Sequence, residues 1–203
     1  MASSGATPIG YDDRGSGPAT VLLHPFPFSR TIWAGTADAL AARRRVITVD
    51  ARGFGELPPA GPFSIADLAD DLAALLDRLD LSRATVLGMS MGGYAALAFA
   101  ARHRHRLSAL VLADTRAAAD SAETRAARDA ALATLADEGP AVYLARSLPK
   151  LLSPQASAPR LAMVSSAWAR PWRAAGVSAA ARVSASTSAR RRSANEAAKA
   201  NAT

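Results

Sequence analysis

The sequence predicts an α/β fold, a mostly parallel sheet flanked by helices. Three observations predict it. Short apolar, β-branched runs alternate with helical patterns through the first 115 residues. Most of these runs end in a turn rich in Gly or Pro, and the intervals between them hold about one helix each, the crossover that parallel strands require.

Taken in order, Ile9–Arg14 could add an extra strand, and Ala19–His24 (ATVLLH) is a short apolar run ending in the turn HPFPF. Ala37–Arg45 (ADALAARRR) reads as helix and Val46–Asp50 (VITVD) as the next strand, closed by ARGFG. The best helix is Ser64–Leu81. Its apolar residues Ile65, Leu68, Leu72, Leu75, Leu76 and Leu79 recur mostly at spacings of three and four, which puts them on one stripe. Ser64 followed three residues later by Asp67 fits a capping box. Ala84–Leu87 is a third strand, Met91–His103 a helix and Leu107–Asp114 (LSALVLAD) a fourth strand. Residues 116–152 are helical and alanine-rich, divided at Gly139-Pro140, and read as an excursion over the top of the sheet.

From about Ser153 the character changes. Of the 51 residues 153–203, 26 are Ala or Ser, the periodicity fades and no strand-like run follows. Such low-complexity sequence buries too little apolar surface to offset its ordering entropy. The division expected is a core over residues 1–115, a partial helical cap over 116–152 and an irregular basic tail over 153–203. The tail holds the charge: residues 1–150 carry 16 Lys+Arg and 16 Asp+Glu, whereas residues 151–203 carry 8 and 1, the whole net charge of +7. A solvated end explains that excess better than a nucleic-acid site. With no cysteine, disulfides and thiolate metal sites are excluded. No signal-like N-terminus and no apolar run near the ~18 residues of a membrane span is seen, so the expected location is cytoplasmic.

Chemistry concentrates at Gly88-Met89-Ser90-Met91-Gly92, a G-x-S-x-G pattern with a strand before it and a helix after it. A serine on so sharp a turn takes strained dihedrals, and side chains at 88 and 92 would collide there. Gly93 lets the helix approach the sheet. The Met91 amide opens that helix, where the dipole favours a developing negative charge. Residues 88–93 do not fit G-x-G-x-x-G and no Gly-Lys-Ser/Thr follows, so phosphate-binding loops are unsupported.

With HPFP after one strand, DARGFG after the next and GMSMGG after the third, residues 8–152 resemble the α/β-hydrolase fold family. Within it, HPFPFSRTIW, SMGGYAALAFA, LVLADTRAAAD and LPKLLSP are most similar to small esterases and lactonases of the 3-oxoadipate enol-lactonase type. The resemblance implies an acyl-enzyme mechanism on a small ester or lactone, without cofactor or metal. It implies Ser90 as nucleophile, the amides of Phe26 and Met91 as oxyanion hole, and His24, Gly88, Gly92 and Gly93 as support.

The family order places the base after the nucleophile, where only His103 and His105 occur. His103 stands 13 residues along the helix from Ser90, about 20 Å at 1.5 Å per residue, far beyond the ~3 Å a base needs. Both histidines are expected to serve at a helix C-terminus. His24 is expected to shape the oxyanion loop. The acid and the final Gly-His of the family pattern have no counterpart in 153–203, so the fold is expected to be truncated at its C-terminal strands. Asp114 is a weak substitute for the acid, and Asp50 is expected to hold its own loop. A frame slip in a GC-rich gene would produce such a tail, which translating the other two frames checks.

Three readings follow. The first is a serine hydrolase impaired by its missing acid and base. The second is an inactive small-molecule-binding relic or truncated product, and the third binds polyanions through the tail. The open sheet edge left by the truncation also suggests a homo-oligomer.

Overall fold

The computed structural model describes residues 9–56 and 63–151. These fall into two compact units, one of residues 9–56 and 65–118, the other of 63–64 and 119–151. The first unit holds strands β1 (Tyr11–Arg14), β2 (Ala19–Leu23), β3 (Arg45–Val49), β4 (Ala84–Met89) and β5 (Leu107–Ala113), with helices α1 (Ala34–Ala41), α2 (Ile65–Arg78) and α3 (Met91–Arg102). The strands form one sheet in the order β1-β3-β2-β4-β5. β1 runs antiparallel to β3, and every other pair is parallel.

Every residue of the central strand β2 is buried, as expected of a parallel strand covered on both faces. Alternation divides the side chains between the two layers. Leu22 and Val46 pack with Trp33 and Ala37 on the α1 side. Leu23 and Val49 line a small apolar cavity with Leu68 and Leu72 of α2 and Ala95 of α3.

The helix expected over Ala37–Arg45 occupies Ala34–Ala41 instead, and Arg45 opens β3. The Ala-Arg run suggested the later span, but buried Trp33, packed against Leu22 and Val46, draws the helix start upstream. Arg44 leaves the helix to bond the hydroxyls of Thr20 at 2.5 Å and Thr85 at 3.2 Å, tying together the starts of β2 and β4. The helix expected over Ser64–Leu81 is α2. Leu68, Leu72, Leu75 and Leu76 form its buried stripe, while Ile65 and Leu79 are only half-buried. Asp80, at φ 54°, turns the chain after α2, and the Leu81 N–H reaches the Leu76 carbonyl at 2.9 Å. A left-handed residue closing a helix in this way satisfies its last carbonyls.

The second unit contains α4 (Ala122–Asp137) and α5 (Pro140–Leu151), separated at Gly139, whose φ is +84°. Ser121 caps α4 by accepting from the Thr124 N–H at 3.2 Å. Arg146 holds Glu138 with two bonds, at 2.6 and 2.8 Å. Among the described residues no helix is long and apolar enough to cross a membrane. The tail expected over 153–203 lies outside the described residues.

Candidate active site

The strand registers bring four loops to one edge. Leu23 of β2 stands level with Val49 of β3 and Gly88 of β4, and Gly88 with Leu112 of β5. Four short segments therefore begin side by side: His24–Phe28, Asp50–Gly55, Ser90 and Asp114-Thr115. The chain steps from β2 to β3 on one side, then crosses to β4 on the other. Open α/β sheets place ligands at such a reversal, beyond the carboxyl ends of the strands.

Ser90 has φ 50° and ψ −111°, a conformation that non-glycine residues rarely adopt. The surrounding glycines make it possible. A Cβ at Gly88 would meet the Gly92 carbonyl, and one at Gly92 would meet the carbonyls of Leu23 and His24. The first turn of α3 thus lies hard against the end of β2, which brings Met91 close to the loop that carries Phe26. Ser90 is half-buried, its side chain does not cap α3, and no described residue hydrogen-bonds its hydroxyl. Its main chain is fully engaged. The Ser90 N–H donates to the Ala113 carbonyl at 3.0 Å, and its carbonyl accepts from Gly93 at 2.9 Å, Tyr94 at 3.2 Å and the Thr115 hydroxyl at 3.0 Å.

The other two loops hold polar residues of a different kind. His24 is 2% exposed. Its Nδ1–H donates to the Pro25 carbonyl at 2.9 Å and its Nε2 accepts from the Ala51 N–H at 3.0 Å. Only the neutral ring can make both bonds, and burial pushes the His24 pKa below the ordinary imidazole range. The ring also packs on Phe54, 5.1 Å between centroids. Asp50 is fully buried. Its carboxylate accepts from the Arg30 N–H at 2.6 Å and from the Arg30 guanidinium. A Cβ at Gly55, where φ is +67°, would run into it. Arg52 grips the carboxylate of buried Asp71 on α2 through Nε and, at 2.6 Å, Nη2.

The structure therefore gathers Ser90, Met91, Gly88, Gly92, Gly93 and Asp114 with the His24–Phe26 loop at one sheet edge. It does not bring a histidine to the Ser90 hydroxyl. His103 lies at the far end of α3, bonded through Nε2 to Asp70 at 2.7 Å and packed at a tilt against Phe99, 5.4 Å between ring centroids. Arg102, then His103, hold the Asp70 pKa below the usual carboxylate range. His105 is exposed in the short turn after α3. Asp114 follows the carbonyl that takes the Ser90 N–H, with φ 45°, and its exposed side chain has no partner among the described residues. Among those residues no group of three His, Cys, Asp or Glu could hold a metal ion.

Two residues hold positions whose roles the sequence did not assign: Asp71, and Thr115, expected only to stand with Asp114 at the strand-end edge. Asp71 follows Leu68 by three residues, so it lies beside the apolar stripe of α2, a position a solvated aspartate would avoid. Thr115 carried no comparable signal.

Residues 18–156 match the family described as the alpha/beta hydrolase fold. Pimeloyl-[acyl-carrier protein] methyl ester esterase of Aeromonas hydrophila is 40% identical over 99 residues, 48% of this chain and 37% of that protein. The chain spans about a third of the length of the curated relatives it matches. Among solved structures, a thermophilic esterase from Thermogutta terrifontis superposes with a TM-score of 0.74 at 34% identity, over 87% of this chain and 65% of that one. The enol-lactonase of Burkholderia xenovorans gives 0.67 at 27% identity, over 87% and 67%. A mostly parallel sheet with a strained serine between β4 and α3 and a family match over most of its length assign the chain to the α/β-hydrolase fold family.

Proposed function

We propose that this chain is a serine hydrolase of small carboxylic esters or lactones, working through an acyl-enzyme at Ser90 at a severely reduced rate. The observation that carries the reading is the Ser90 turn. Its main chain is held on both sides while its hydroxyl is committed to no described residue. In the reaction, Oγ attacks the carbonyl carbon, the amides of Met91 and Phe26 receive the oxyanion, and the C–O bond to the leaving alcohol breaks. Water then hydrolyses the acyl-serine. The similarity to an esterase and an enol-lactonase supports the substrate class.

The reduced rate follows from the proton. Both His24 nitrogens are used in holding the loop, and His103 is bound to Asp70. Removal of the serine proton in this chain falls to solvent. Loss of one triad member still leaves about 10³-fold catalysis over water from binding and the oxyanion hole.

The test is labelling by a fluorophosphonate, together with hydrolysis of a p-nitrophenyl ester across pH. Slow labelling abolished by Ser90→Ala, with a rate that climbs with hydroxide and has no inflection near neutrality, is the expected result. Labelling that survives Ser90→Ala would refute the nucleophile. Fast labelling with an inflection near pH 7 would refute the missing base.

A further inference from the structure

Ser90 holds an unusual backbone conformation, and the residues on the far side of the turn account for it. After β5 the chain makes a single sharp step, Ala113-Asp114-Thr115, with Asp114 at φ 45°. That step places two groups against Ser90. The Ala113 carbonyl takes the Ser90 N–H at 3.0 Å, and the Thr115 hydroxyl donates to the Ser90 carbonyl at 3.0 Å. Both peptide groups flanking the Ser90 Cα are thus gripped by one turn of a neighbouring strand. The fit is steric as well as polar. A Cβ at Gly93 would lie 2.5 Å from Thr115 Cγ2 and 2.7 Å from its Oγ1, so the threonine fills the space that the missing side chain leaves.

The geometry points to Thr115 as a positioning residue, one that fixes the direction of the Ser90 Cα–Cβ bond and so the line along which Oγ meets an acyl carbon. This rests on the reading of Ser90 as nucleophile. The Ser90 carbonyl belongs to the peptide that continues into the Met91 N–H, so a bond to its oxygen fixes the plane of that amide too. Loss of the hydroxyl lets the peptide tilt, and both partners of the reaction lose alignment together. The side chain itself touches no reacting atom. Thr115 therefore acts on the bond-forming step rather than on binding.

The experiment compares wild type with Thr115→Val, which keeps the shape without the hydroxyl, Thr115→Ser, which keeps the hydroxyl, and Thr115→Ala. Fluorophosphonate labelling is measured to saturation, separating the inactivation rate from the probe's dissociation constant, with folding followed by circular dichroism. Thr115→Val should lower the maximal rate by about fivefold to tenfold, the worth of one hydrogen bond, with the dissociation constant within about twofold. Thr115→Ser should recover most of it. An unchanged maximal rate in folded Thr115→Val, or an equal loss in Thr115→Ser, overturns the assignment. So does unfolding of both the Val and Ala variants while Thr115→Ser folds, which would make the hydroxyl a general stability contact. Labelling that survives Ser90→Ala sinks the nucleophile reading separately. The clamp is then judged by amide exchange over Ser90–Tyr94, which should be faster in Thr115→Val than in Thr115→Ser, and equal rates refute it.

Discussion

Two loop groups at the same sheet edge use polar residues in opposite ways. Around His24 and Asp50 the side chains are the structure: the imidazole is spent on its own loop at Pro25 and on the next at Ala51, and the carboxylate on Arg30. Around Ser90 the main chain is the structure, and the side chain is left over. The difference teaches that residue type alone does not mark a reactive group. A histidine and an aspartate share this sheet edge with the serine, yet their bonding capacity is consumed. What distinguishes Ser90 is that its strain is held through its main chain, by backbone bonds, the Thr115 hydroxyl and glycines, and not through its own side chain.

The sharpest way to break this comparison is to remove a lock. Asp50→Ala empties a fully buried site against the Arg30 guanidinium, which keeps Asp12 at 3.2 Å as a close carboxylate partner, and should destabilise the protein by about 3 kcal/mol, read by urea denaturation. A smaller effect there would mean that the loop is not held by its buried carboxylate. Next comes the packing of the serine turn. Gly92→Ala drives a methyl group into the carbonyls of Leu23 and His24 and should cost about 1–3 kcal/mol, with a drop in Ser90 labelling.

His24→Leu leaves the Ala51 N–H without its acceptor, at about 1–3 kcal/mol, and carries a pH signature. Burial lowers the His24 pKa from 6.5 in the folded protein, so the unfolded chain takes up the proton more readily. The contribution of neutral His24 is complete above about pH 6.5 and is lost progressively as pH falls toward and through the folded value. Wild type should therefore lose stability between neutrality and pH 5 more steeply than His24→Leu, and identical pH profiles would contradict the lock. The smallest effect has the opposite sign. Ser90→Gly relieves the positive φ and should stabilise the fold by about 1 kcal/mol while abolishing labelling. A loss of stability would show that the serine side chain itself supports the turn.

The fold was legible where a pattern repeats. The stripe on α2 announces its period, and the strand runs alternate with helices, so element types and order follow from sequence. The G-x-S-x-G turn was legible because its glycines are sterically required. The start of α1 was not, since one buried Trp33 outweighed a longer Ala-Arg run. Nor was the Arg52–Asp71 pair, which joins residues 19 positions apart through a geometry that only the folded chain creates. Thr115 was hidden for the same reason, because its partner Ser90 lies 25 residues away on the neighbouring strand's loop.

Among the described residues β5 pairs with β4 alone, and along it Val111 and Leu112 are each 42% exposed. Those adjacent residues point to opposite faces, so an apolar side chain is partly open on each face even though α3 packs against the strand. Such a rim offers amides and carbonyls in register to any extended polypeptide, including another molecule of the same sequence. Sedimentation of this protein from nanomolar to micromolar concentration tests whether that rim pairs, and kinetic work on Ser90 belongs at the dilute end.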